Sequence, residues 1–460
     1  MAEMAEMAEI AMSPSERNSR RRVALSSCLG TTIEYYDFLL YGTVAALVFN
    51  KVFFTNLSPL VGTIVALATL AAGYVARLAG AIVFGHFGDR LGRKSVMLTT
   101  MIVMGLSSGL IGVLPGYAQI GAAAPLLLLL LRLLQGLAVG GEFGGAVLMT
   151  AEHAGPRRRG LSTSAATLGA PIGALLATVA VTGVTLLPAD QLISWGWRVP
   201  FLASFALLAV GVYFRTRVLE SPVFLADRGA QAGPRPAPVL ELFRRNPGRM
   251  LQAVVVQIGP YCGQGVFGIF VISYTTSIGY PRSAALLATS AGLVGAIVMT
   301  PLYALISDRI GRKPVLIFAG ASLAVTAYPL FLAINSRSTA LLVVAVVGYL
   351  TFILTAATSV GPVLLSELFP TGIRYTSVSA SYQLAQTVGS GFGPLIGASL
   401  LAAAGGGTHS WAIAAFLVVV GLISAATSWL LPETRAESLT TATRQAGSVA
   451  VVKAPTERGV

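Results

Sequence analysis

The sequence predicts an all-α integral membrane protein with twelve transmembrane helices in two pseudo-symmetric six-helix bundles, and three observations lead there. First, 55% of the 460 residues are hydrophobic and only 11% charged, against about 25% charged in soluble domains, so the chain has too few charges to coat a water-facing surface. Second, apolar windows of about 20 residues, the length a helix needs to cross the hydrocarbon of a bilayer, recur twelve times. Third, Asp89-Arg90-Leu91-Gly92-Arg93-Lys94 returns as Asp308-Arg309-Ile310-Gly311-Arg312-Lys313, 219 residues further on (89 to 308), each copy being a charged break between two apolar windows.

The windows cover residues 23–49, 60–84, 96–115, 125–151, 161–187, 198–218, 250–277, 284–306, 314–335, 340–366, 375–403 and 411–431. Such lengths suit helices, whose backbone groups bond internally, whereas a barrel needs alternating strands of about ten residues. Residues 1–22, which open on Met-Ala-Glu repeated three times, read as a disordered cytoplasmic tail. Residues 23–218 form the first bundle, 219–249 a Pro- and Arg-rich cytoplasmic central loop, 250–432 the second bundle and 433–460 a cytoplasmic tail without a sustained heptad. The Arg20-Arg21-Arg22 cluster resembles a twin-arginine signal, but the apolar run behind it is too long, and an uncleaved first span is expected.

Basic loops stay on the cytoplasmic side of a membrane. Of 31 basic residues, Lys51, Arg198, Arg282 and Arg337 fall outside and Arg77 and Arg132 within spans, leaving 25 inside with both termini cytoplasmic. The net charge of +13 is thereby explained by topology and calls for no nucleic acid. Cys28 and Cys262 lie within spans, suggesting neither a disulfide nor a metal site.

Five ionisable residues fall well inside the spans: Glu34, Asp37, Arg77, Arg132 and Glu142. Each costs roughly 2.5 to 3.5 kcal/mol at a helix centre, so such residues pair or line a wet pathway. Thr31, Glu34, Asp37 and Tyr41 share a face of the first span, and Arg132, Gln135, Val139 and Glu142 a face of the fourth; one aqueous cleft between the two stripes is expected. Gly136, Gly140 and Gly144 at four-residue steps let another helix approach the fourth span closely. Glu142, near a helix end, also reads as a structural ion-pair partner, and Arg77 as a residue that snorkels. The second half offers uncharged hydrogen-bonding groups: Gln257, Tyr261 and Gln264 on the seventh span, Tyr349 on the tenth and Tyr382, Gln383 and Gln386 on the eleventh. Two buried arginines favour a carboxylate-bearing solute, because a guanidinium fork matches a carboxylate at two points. Glu152 with Arg159, and Glu367 with Arg374, form a further repeated pair 215 residues apart (152 to 367).

Residues 85 to 94, Gly-His-Phe-Gly-Asp-Arg-Leu-Gly-Arg-Lys, resemble the signature loop of the major facilitator superfamily, Arg132-Leu-Leu-Gln135-Gly136 its fourth-span motif, and Pro432-Glu433-Thr434 the ending of its sugar porters. Glu34-Tyr35-Tyr36-Asp37-Phe38, Gly140-Gly141-Glu142-Phe143-Gly144-Gly145-Ala146, Glu152-His153, Trp195-Gly196-Trp197-Arg198-Val199-Pro200-Phe201 and Glu220-Ser221-Pro222 are similar to the metabolite:proton symporter branch. The resemblance covers nearly all of residues 22 to 435. It implies proton-coupled uptake of a small metabolite by alternating access, without a cofactor other than the proton gradient, by a monomer in the cell membrane.

By that resemblance Asp37 takes and gives the proton, with Glu34 beside it and Arg132 as its partner. Arg77, Arg132, Gln135, Tyr41, Gln257, Tyr261 and Gln383 line the substrate site. Gly85, Asp89, Arg90, Gly92, Arg93 and Lys94, with Asp308, Arg309 and Arg312 and the pairs Glu152, Arg159 and Glu367, Arg374, form the gates. The solute is read as an organic acid of the shikimate or oxo-acid kind. Proline or betaine uptake, and proton-antiport export of drugs or metabolites, are the alternatives. An enzyme is not expected: there is no His-Glu-x-x-His and no nucleotide loop, which also excludes a self-contained ATP-driven pump.

Overall fold

In lipid an apolar run has only its own backbone to bond with, and each of the twelve windows is helical in the computed structural model, which describes residues 14–57, 59–155, 158–221, 223–225, 242, 244 and 247–435. The first bundle comprises α1 (Pro14–Val44, continued through a π-helical turn Ala45–Phe49 and Asn50–Val52), α2 (Pro59–Leu91), α3 (Arg93–Val113), α4 (Ala123–Glu152), α5 (Arg159–Thr185) and α6 (Arg198–Thr216). The second comprises α7 (Pro247–Gly265, continued by Val266–Phe270 and Val271–Ser277), α8 (Arg282–Ile310), α9 (Arg312–Asn335), α10 (Thr339–Gly348, Tyr349–Leu354 and Thr355–Leu368), α11 (Arg374–Gln386, Thr387–Gly391 and Gly393–Ala403) and α12 (Trp411–Leu430).

Helix α1 begins at Pro14, so residues 14–22, expected as disordered tail, are helical. Proline is favoured in a first helical turn, and Asn18, Arg21 and Arg22 are exposed on the extended helix. Residues 1–13, most of the central loop and residues 436–460 lie outside the described residues, as do the expectations made for them.

Each bundle has its own core. Tyr41, Phe49, Phe53, Trp197 and Phe201 fill the first, and Phe267, Tyr274, Phe331, Tyr349 and Leu417 the second. A third cluster crosses between the bundles, joining Met97, Phe143 and Met149 to Val360, Leu364, Tyr375 and Tyr382. Large apolar side chains such as Leu126, Leu130, Val325, Leu332 and Trp429 face outward, as a lipid-facing surface requires.

Glycine decides where helices touch. A Cβ on Gly136 or Gly140 would strike the backbone of α2 at Gly73 and Arg77, and one on Gly144 would strike Ser379 of α11. The expected close-approach stripe therefore serves two neighbours, one in each bundle. The first part of α11 is polar for a membrane helix, and nearly all of Arg374–Gln386 is buried; it runs between the bundles and away from lipid.

Candidate functional site: an interface cavity closed at one end by crossed carboxylates

The repeated loops carry the site's most regular feature. The first N–H groups of any helix lack intrahelical partners and attract carboxylates. Asp89, near the end of α2, accepts from the backbone N–H of Tyr375 (3.0 Å) and of Thr376 (2.9 Å) and from Thr376 Oγ1 (2.9 Å), at the start of α11 in the other bundle. Asp308, near the end of α8, accepts from the N–H groups of Gly160 and Leu161 (2.9 Å each) at the start of α5. Each bundle thus caps a helix of the other. Gly88 and Gly85 make this possible: a Cβ on either would collide with Tyr375 or Thr376.

Two glutamates stand behind these caps. Glu152 meets Arg93 at 3.4 Å and Arg374 at 3.1 Å, and Glu367 meets Arg312 at 3.2 Å and Arg159 at 3.4 Å. The pairing is therefore crossed: among the described residues, Glu152 pairs with Arg374 and Glu367 with Arg159, each from the opposite half, and no ion pair joins either glutamate to the arginine seven residues further along its own chain. Arg312 also binds Asp308 at 2.6 Å. Of the other expected gate residues, Arg90 and Arg309 are exposed, and Lys94 donates to Thr216 O at 3.2 Å on the surface; these three lie outside the buried network.

Glu220 and Glu433 were not expected as functional residues. At Gly92 (φ 113°) and Gly311 (φ 110°) the chain turns through a region that favours glycine. The carboxylates of Glu220 and Glu433 then cap the N-termini of α3 and α9, accepting from Arg93 N (3.0 Å) and Arg312 N (2.9 Å). The next residues, Ser221 and Thr434, donate to Glu152 and Glu367. A signal was present in the sequence: Glu220 and Glu433 lie 213 residues apart, nearly the same offset as the loops they cap.

Between the bundles lies a cavity of about 150 Å³, lined from the first by Glu34, Tyr35, Phe38, Tyr74, Arg77 and Phe143 and from the second by Tyr261, Gln264, Thr289, Thr355, Gln386 and Ser390 among others. Three of its second-bundle walls, α7, α10 and α11, pass through π-helical turns that contribute lining residues, a local irregularity frequent at functional sites. Its inner wall joins the bundles. Tyr35 Oη lies 3.0 Å from Tyr382 Oη and accepts from Gln386 Nε2 (2.9 Å), while Phe143 stacks on Tyr382 at 3.9 Å.

The five buried charges separate into three groups. Glu34 and Arg77 face the cavity, 3.7 Å apart, with the guanidinium over the rings of Phe38 (4.7 Å) and Tyr74 (5.0 Å). Asp37 turns into the first bundle, where it accepts from Ser108 (2.6 Å) and Ser204 (2.7 Å). Arg132 lies there too, over the ring of Tyr41 at 4.3 Å, and donates to Gln135, which donates to Ser108 at 2.5 Å. Asp37 and Arg132 are thus bridged through Gln135 and Ser108, with no direct ion pair between them among the described residues. Glu142 binds Arg215 at 2.7 Å and accepts from Thr100 at 2.8 Å, a structural pair.

The single cleft expected for all of these is therefore divided. The cavity stripe of α1 is residues 34, 35, 38 and 39, and at 100° per residue Asp37 points roughly 130° away from its centre. Tyr41 bonds Thr69 at 2.6 Å, Gln257 bonds its own helix at Ala253 O, and Gln383 bonds Val139 O across the bundles. Of the expected substrate residues, Arg77 and Tyr261 line the cavity, whereas Arg132, Gln135, Tyr41, Gln257 and Gln383 do not.

Two six-helix bundles closed at one end around an interface cavity define a secondary transporter of the alternating-access kind. The sugar (and other) transporter family matches over residues 23–236 and 227–446, and the chain belongs to that family, within the major facilitator superfamily. The shikimate transporter of Escherichia coli is 37% identical over 420 residues, covering 90% of this chain and 95% of its own length. The proline/betaine transporter of the same organism is 31% identical over 444 residues, covering 94% and 87%. The proton:xylose symporter XylE bound to 6-bromo-6-deoxy-D-glucose shares the fold, with a TM-score of 0.78 at 22% identity over 94% of this chain and 99% of that one. The family consists of transporters, not enzymes.

Proposed function

We propose that the chain carries a small carboxylate-bearing metabolite, of the shikimate or oxo-acid kind, into the cell together with a proton. The observation that carries this reading is the Arg77 guanidinium at the interface cavity. It has five N–H donors, and among the described residues no hydrogen bond holds it. A carboxylate satisfies such a fork at two points. Hydroxyl and amide groups of Tyr261, Gln264, Gln386 and Ser390 suit the oxygens of the solute's body. The likeness to the shikimate transporter supports the same class of solute.

The excess of basic residues in the gate-side loops supports a cytoplasmic position for those loops and for both termini, so that the end closed by the crossed carboxylates faces the cell interior. Asp37, buried and held by two serines within reach of Arg132 through Gln135, is the group whose proton accompanies transport. The protein works as a monomer in the cell membrane, powered by the proton gradient alone. A zwitterion such as proline or betaine is the second reading. Glu34 beside Arg77, among Phe38, Tyr74 and Tyr261, offers a cation an aromatic and acidic partner.

Proteoliposomes with an inward proton gradient test the reading. They should accumulate labelled shikimate, and a protonophore should abolish the accumulation. A gradient that drives proline but no organic acid favours the second reading, and one that drives neither overturns both.

A further inference from the structure

The two sides of the interface cavity differ in what they can offer a solute. The bundles meet along two seams, α2 against α11 and α5 against α8, with α7 packed on α11 and α10 packed on both α5 and α8. Of the described residues that line the cavity, Glu34 and Arg77 alone carry charge, and Arg77 belongs to the first seam together with Gln264, Gln386 and Ser390. The second seam contributes Pro171 and Ala174 from α5, Leu293 and Ala296 from α8, and Leu350 and Leu354 from α10. It brings hydrocarbon where the first brings polar groups.

Among the described residues, the polar side chains that the second seam adds to the lining are Thr167, Thr289, Thr300, Thr355 and Thr358. Each donates its hydroxyl proton to a backbone carbonyl of its own helix, at Ser164, Ala285, Ala296, Leu350 and Thr355 respectively. A threonine hydroxyl has one proton and two lone pairs. The second seam can therefore accept a hydrogen bond from a solute hydroxyl, but its side chains have no donor left for an anion. A charge buried there would go unmatched, at a cost far above that of burying hydrocarbon.

We propose that the cavity takes acids with a single carboxylate, held by Arg77, whose opposite end is hydrocarbon or hydroxyl, and that it rejects dicarboxylates such as 2-oxoglutarate. This deepens the carboxylate reading above and rests on it. A second carboxylate would lie either against Leu293 and Leu350 without a donor or beside Glu34 with a like charge. A hydroxylated ring such as that of shikimate meets neither obstacle, because its hydroxyls can donate to the threonine oxygens. A branched 2-oxo monocarboxylate meets neither obstacle because its far end is hydrocarbon.

A pair of acids of one shape separates charge from size. In 5-methyl-2-oxohexanoate an isopropyl group stands where 2-oxoglutarate has its second carboxylate, and the two chains are otherwise the same. Calorimetric titration into the full-length protein in detergent at neutral pH should show shikimate binding, and 5-methyl-2-oxohexanoate binding at least about a hundredfold more tightly than 2-oxoglutarate, since an unmatched buried charge costs that much or more. Leu293→Gln places an amide donor on the second seam and should shrink this ratio about tenfold through tighter binding of 2-oxoglutarate. Equal affinities, tighter binding of 2-oxoglutarate by the unsubstituted protein, failure of 5-methyl-2-oxohexanoate to bind where shikimate does, or a ratio that Leu293→Gln leaves unchanged overturns the selectivity alone. If L293Q does not fold, the ratio in the unsubstituted protein decides. Failure of all three acids to bind overturns the carboxylate reading, and the selectivity with it.

Discussion

Asp89→Asn is the sharpest perturbation of the closed end. The carboxylate accepts three hydrogen bonds across the bundle interface, two from backbone N–H groups and one from Thr376 Oγ1. An asparagine has one acceptor oxygen and turns an NH2 group towards a partner that is itself an N–H donor. Hydrogen bonds to charged groups contribute about 1.5–3 kcal/mol each, and an unmatched buried donor adds a penalty of about 1–3 kcal/mol. Allowing for relaxation, the closed arrangement loses on the order of 3 kcal/mol, roughly a 150-fold shift of the equilibrium between closed and open. Spin labels at the exposed positions Arg90 and Arg309, one on each bundle, with Cys28 and Cys262 replaced, report that equilibrium by pulsed electron resonance. The longer-distance population should grow from minor to dominant in Asp89→Asn. Asp308→Asn, with two cross-bundle bonds from the opposite bundle in place of three, should give a smaller shift in the same direction. Identical distance distributions in all three proteins would refute the view that these caps hold the end shut.

Glu142→Ala should leave Arg215 buried without its counter-ion and cost about 3–5 kcal/mol, read as a lowered melting temperature in detergent; an unchanged melting temperature contradicts the structural assignment. Arg132→Lys keeps the charge but loses the planar fork that reaches Gln135 and stacks on Tyr41, so initial uptake should fall on the order of tenfold or more, and near-normal uptake would reduce Arg132 to scaffolding. Asp37→Asn should retain part of substrate counterflow while losing proton-driven accumulation, and unchanged accumulation would remove Asp37 from the coupling.

The bundle architecture was legible because lipid imposes it. The twelve apolar windows and the twice-used Asp-Arg-x-Gly-Arg-Lys loop are local patterns that need no knowledge of tertiary contacts. The crossed pairing was not legible: Glu152 and Arg159 look like partners seven residues apart, and only the docking of the bundles sends Glu152 to Arg374 and Glu367 to Arg159. Arg215 escaped notice because it sits in the last turn of α6, where a basic residue ordinarily faces water, yet it reaches inward to Glu142. The division of Glu34 from Asp37 depends on helix rotation. Spacings of three and four residues mark a broad face, and a cavity wall is narrower than that face. The carboxylates of Glu220 and Glu433 were visible as motifs, but their role needed the glycine turns at positions 92 and 311 that bring two helix starts to them.

Substrate-driven proton movement separates inward co-transport from every rival. Proteoliposomes with equal pH on both sides and no membrane potential should alkalinise the outer medium when shikimate is added outside, because each carboxylate entering takes a proton with it. Acidification of the medium, or shikimate entry without any change in external pH, would contradict proton symport.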